Sequence, residues 1–151
     1  MGAVDVAEHP QSKVTVAELD FTKELPLDVI KDVDVILAAD VIYDPVITQA
    51  FFRCLGDVAL HCLSFKGRIE AYVAMEARSR GIEGLDTLKI MRDELGRFRE
   101  RTDMRHILNV DYIQKGSFAQ KFGYNSANAD MHMWKLAFDA SPCNSHKDGA
   151  F

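Results

Sequence analysis

Three apolar segments of this chain end in an acid. VTVAEL runs into Asp20 and Phe21, VDVILAA into Asp40, and IEAYVAM into Glu76. Tyr43 follows three residues after Asp40, and Arg78 two residues after Glu76. In an open α/β sheet, ligands bind beyond the carboxyl ends of the strands. Acids at those ends are therefore candidates to accept hydrogen bonds from a ligand. The net charge of -5 and the pI near 5.5 argue against broad affinity for nucleic acid or anionic membranes. They leave open a small basic substrate or a basic partner protein. Each residue also has a plainer reading. Asp20 is then a loop acid, Phe21 a buried aromatic, Asp40 a cap for the next turn, and Glu76 with Arg78 a structural ion pair.

Other chemistries find little support. His9, His61, His106, His132 and His146 show no metal-ligand spacing with each other or with cysteine, so no metal is expected. Gly-x-Ser-x-Gly, P-loop and His-Glu-x-x-His patterns are missing. Arg97, Arg99, Arg101 and Arg105 alternate with acids and read as a solvated face. The three cysteines, Cys54, Cys62 and Cys143, are too few and scattered for a disulfide framework, which suggests a reducing compartment, the cytoplasm or the nucleus. The N-terminal residues lack the pattern of a secretory signal. No run of about 18 apolar residues stands out, so no membrane span is expected.

The elements that must position the acids follow from periodicity. Residues 13–19 alternate and are β-branched, which predicts a strand. Residues 33–39 form a nearly continuous apolar run, the signature of a strand buried on both faces in a parallel sheet. Asp44 and Pro45 open a helix over 45–63, whose apolar positions repeat every 3.6 residues and take in Cys54 and Cys62 as core. Residues 69–75 form the next strand. Ile82, Leu85, Leu88, Met91, Leu95 and Phe98 predict a helix over 82–101. Strands follow at 106–113 and 131–138. The alternation implies an α/β fold with a parallel sheet, closed by an antiparallel pair at one edge. The folded part is expected over 13–138, with 1–12 and 139–151 as flexible tails.

Three motifs carry a resemblance to a known family. DVILAADVIYD (34–44) resembles the fourth-strand motif of the methyltransferase-like family of protein-lysine methyltransferases. VTVAELDF (14–21) resembles that family's third strand, and MEAR (75–78) its Glu and Arg near the end of the fifth strand. The resemblance covers roughly residues 13–138. It implies a Rossmann-like seven-strand fold with sheet order three, two, one, four, five, seven, six, and S-adenosylmethionine as cofactor. It also implies a protein lysine as substrate, with neither nucleic acid nor membrane involved. By resemblance, Asp20 accepts a hydrogen bond from the adenine amino group and Phe21 packs on the ring. Ala39, with Ala38, is small where the cofactor lies, or else allows close helix packing. Asp40 and Tyr43 line the entry for the target amine, which must be neutral before its lone pair can attack the methyl group.

One departure is large. In such folds a glycine-rich loop after the first strand wraps the cofactor, and an acid after the second strand holds its ribose. This sequence contains no Gly-x-Gly, and the 12 residues before Lys13 are too few for two strands and two helices. The expectation is a truncated form of the fold, inactive by itself. Its 33–39 strand then becomes a sheet edge that a partner would need to cover. The alternative is a non-enzymatic protein-interaction module built on the same fold.

Overall fold

The computed structural model describes residues 14, 16–26, 30, 32–80, 85–113 and 131–140. Strand β1 spans Val35–Ala39 and leads into helix α1, Pro45–Leu63. Strand β2 covers Arg68–Glu76. A small hairpin of β3 (Ser79–Arg80) and β4 (Leu85–Asp86) precedes helix α2, Thr87–Glu100. Strands β5 (Leu108–Ile113) and β6 (Met131–Asp139) complete the order.

The main sheet has four strands in the order β1-β2-β6-β5. β1 pairs parallel to β2, with Val35 opposite Glu70 and Ala39 opposite Ala74. β6 runs antiparallel between β2 and β5. This is the order expected for strands four, five, seven and six of the resembled fold. The last described strand sits inside the sheet, not at its edge.

The alternation of β2 sorts the two faces. Ile69, Ala71, Val73 and Met75 are buried with Leu136 and Phe138 of β6, beneath α1 and α2. α1 contributes Phe51, Phe52, Leu55, Val58, Ala59 and Cys62 to this core, and α2 contributes Met91, Leu95 and Phe98. The helices approach closely at Gly56, where an added Cβ would lie 3.0 Å from the Phe98 ring. Cys54 and Cys62 are core residues as expected, and burial pushes both thiols up. Cys143 lies outside the described residues.

α1 begins as the sequence indicates. Asp44 Oδ1 accepts from the backbone N–H of Val46 at 2.8 Å and of Ile47 at 3.1 Å. Asp44→Ala is expected to cost about 1 kcal/mol of stability through the lost cap, measurable by urea unfolding. α1 also bears on the expectation about membranes. Its 19 residues reach a mean hydropathy of 1.3, long and apolar enough by composition to cross a bilayer. Half of that stretch is buried inside the fold, because it is a core helix packed on the sheet.

Two further expectations change. Among the described residues of 13–19 no strand forms, and Val14 and Val16 are 85% and 92% exposed. β1 is the outermost strand among the described residues, and none of the described residues of 13–19 pairs with it. The helix foreseen over 82–101 starts at Thr87, because Asp86 caps it, accepting from the backbone N–H of Leu88 at 2.9 Å and of Lys89 at 3.1 Å. Leu85 belongs to the hairpin instead. The expected tail over 139–151 begins later: Asp139 ends β6, and the Ala140 N–H donates to the Gly67 carbonyl at 2.9 Å. Residues 1–12 and 141–151 and the 114–130 connection lie outside the described residues.

Among the described residues the other sheet face is open at β1, against the burial on both faces expected for the 33–39 run, because β1 ends the sheet and the helices pack on one side only. On β1, Val35 is 53% and Leu37 79% exposed. Further along that face Glu70 gathers three partners. Lys135 Nζ and Arg68 Nη2 each lie 2.9 Å from Oε1, and the Tyr72 hydroxyl donates to Oε2 at 2.8 Å. These bonds, that of Lys135 first, hold the Glu70 carboxyl at about 2, below its ordinary 4.5. A depressed carboxyl stabilises the fold above its unfolded pKa and stops doing so as pH falls through the folded value. Stability should therefore drop between about pH 4.5 and 2. Glu70→Gln should flatten this acid limb in thermal melts taken against pH.

Candidate active site at the carboxyl edge of β1 and β2

The β1-α1-β2 crossover brings the two strand ends side by side. The Asp40 N–H donates to the Ala74 carbonyl at 2.9 Å, extending the ladder one residue past β1. Asp40 takes φ 56, the left-handed region, where a non-glycine residue is uncommon. Strain of this kind is often found at functional positions. Glu76 closes β2 on the same sheet edge, as the sequence led us to expect.

Arg78 joins the two acids. Its Nη2 donates to Asp40 Oδ2 at 2.9 Å and its Nε to Glu76 Oε2 at 3.2 Å. The Glu76–Arg78 pair is the one the sequence suggested. The link to Asp40, 38 residues away, is not visible in the sequence because it depends on the parallel register. Asp40 does not cap α1; Asp44 does. Tyr43 lies in the β1–α1 connection and is 54% exposed. The edge therefore presents two carboxylates, one guanidinium and a phenol ring to solvent.

Asp20 and Phe21 lie apart from that ion pair. Asp20 Oδ1 accepts from the Thr22 N–H at 2.9 Å and from its hydroxyl at 2.6 Å, and Lys23 pairs with Oδ2 at 3.1 Å. The Thr22 hydroxyl foremost holds the Asp20 carboxyl at about 2, from an ordinary 3.8. Phe21 packs edge-on against Phe51 of α1 at 5.5 Å. Arg53 of α1 donates to the Phe21 carbonyl at 3.2 Å, which fastens this turn to the helix. Ala39 is exposed at the end of β1, and Ala38 is half-buried against the core.

A groove of about 820 Å³ lies between α1 and α2, lined by Phe52, Arg53, Asp57, Glu94, Arg97 and Arg101 among others. It does not include Asp40 or Tyr43. Its guanidinium groups are already engaged: Arg53 by the Phe21 carbonyl, Arg97 by buried Glu94, and Arg101 by Asp103 at 2.7 Å. We therefore place the candidate site at the strand ends.

The sheet order, the acid-bearing strand ends and the DVILAADVIYD segment agree with the comparison to known families. A family model described as lysine methyltransferase matches residues 1–83, more than half of the chain. The chain belongs to that family. A comparison with curated proteins gives no match.

Proposed function

We propose that this chain carries the acceptor side of a protein-lysine methylation site, with Asp40 and Tyr43 meeting the target amine. One observation carries the reading: the parallel β1–β2 pair delivers two carboxylates to a single sheet edge. A carboxylate there accepts hydrogen bonds from an amine, and the Tyr43 ring shapes its approach. Positioning supplies most of the catalysis in such a transfer. S-adenosylmethionine, the family's usual cofactor, supplies the methyl group when bound. Asp20, Phe21 and Ala39 are the residues we assign to its adenosine side.

The fit to that cofactor is partial. Ala39 leaves room at the strand end, but the Asp20 carboxylate is occupied by Thr22 and Lys23. Nothing in the sequence replaces the close backbone approach of a Gly-x-Gly loop. We therefore take these 151 residues to be catalytically incompetent on their own. A second reading, a protein-interaction module, gains support from the apolar β1 edge that exposes Val35 and Leu37.

The assignment is tested by amide chemical-shift mapping with S-adenosylmethionine at millimolar concentration. Shifts should gather at Asp20, Phe21, Ala39 and Asp40. Shifts confined to the α1–α2 groove would contradict the assignment.

A further inference from the structure

Arg78 is built into the fold from two directions. Its backbone N–H donates to Thr87 Oγ1 at 2.9 Å, and the Thr87 N–H donates to the Arg78 carbonyl at 3.3 Å. Thr87 is buried and opens α2, so the start of that helix fixes where Arg78 stands. Its side chain then reaches Asp40 from β1 and Glu76 from β2. Among the described residues these are the charged groups within ion-pair range of it. α2 presents neutral Thr87, and Asp86 is committed to capping that helix. Glu76 first, and then Asp40, holds the guanidinium proton more firmly than usual. Arg78 thus leaves the cluster with one net negative charge in place of two.

We propose that Arg78 is a positioning residue that sets the charge of the acceptor site, so that the target lysine is admitted as the neutral amine. The proposal rests on the reading of Asp40 as the group that meets that amine. Two unpaired carboxylates would stabilise the ammonium, the form with no lone pair. With Oδ2 of Asp40 committed to Arg78, Oδ1 accepts an N–H from a neutral amine, while the added attraction for a cation is cancelled. A guanidinium fork spans both carboxylates from one place, which a lysine point charge does not.

The test uses the purified chain and two probes at pH 7. One is Nα-acetyl-lysine methylamide, an ammonium; the other is its neutral 6-hydroxynorleucine analogue. Binding is read from the amide shifts of Asp40 and Tyr43. Arg78→Met should tighten the lysine probe about threefold at low salt, the Coulomb effect of deleting one charge at ~6 Å in water. The gain should vanish at roughly 0.5 M salt, and the neutral probe should be unaffected. Arg78→Gln serves the same test should the methionine variant fail to fold. An unchanged or weakened lysine probe, or equal effects on both probes, shows a merely structural role and overturns the proposal. If wild-type protein responds to neither probe, or Asp40→Asn leaves lysine binding intact, the reading of Asp40 falls and takes this proposal with it.

Discussion

Phe98→Ala is expected to lower the unfolding free energy by about 3–5 kcal/mol, the usual range for deleting a buried aromatic ring. Phe98 is 2% exposed and joins three parts of the core. Its ring lies 5.2 Å from that of Phe52 on α1 and 6.3 Å from that of Phe138 on β6. The Arg101 guanidinium sits 5.6 Å from its centroid. Gly56 lets α1 approach the ring closely: a Cβ added there would lie 3.0 Å from it. Domains of this size hold only about 5–15 kcal/mol in total, so the variant should lie near the limit of folding. Guanidinium unfolding followed by circular dichroism measures the effect. A loss below about 1 kcal/mol would mean that α2 is not anchored through this ring.

The central βαβ unit was legible because each of its signals is local. VDVILAA announces a strand, although only one face of it is covered and Val35 and Leu37 are exposed on the other, and Asp44-Pro45 announces a capped helix start. The 3.6-residue spacing from Val46 to Leu63 does the rest. The crossover that follows places Asp40 beside Glu76 on one edge. What escaped depended on non-local geometry or on competing patterns. Ile82, Leu85 and Leu88 continue the helical spacing of α2 upstream and masked the β3–β4 hairpin, although Gly81 and Gly84 between its strands are turn signals. Val14 and Val16 have the right composition for a strand, yet strand propensity is realised only through pairing and burial, and both stand exposed with no described strand paired to them. The Arg78–Asp40 bond follows from register, which the sequence does not state. The apolar spacing of α1 was read correctly as core by its period.

The central proposal is that these 151 residues hold the amine-facing side of a methyltransferase site and do not by themselves grip the cofactor. Isothermal titration of the purified 151-residue chain with S-adenosylmethionine tests it most directly. Asp20 and Phe21 contact adenine at best, and Asp20 must first share a carboxylate already held by Thr22 and Lys23. The glycine loop and the ribose acid would otherwise supply several hydrogen bonds at about 1 kcal/mol or more each. Every 1.4 kcal/mol is about tenfold in affinity, so binding should be on the order of millimolar or weaker. Any residues that must order upon binding weaken it further. Fusing a strand, a Gly-x-Gly loop and a helix ahead of Met1 should tighten binding, and Asp20→Ala in that longer chain should weaken it again. The account predicts no resolvable heat for the 151-residue chain at micromolar cofactor; one-to-one binding with a low-micromolar Kd would contradict it.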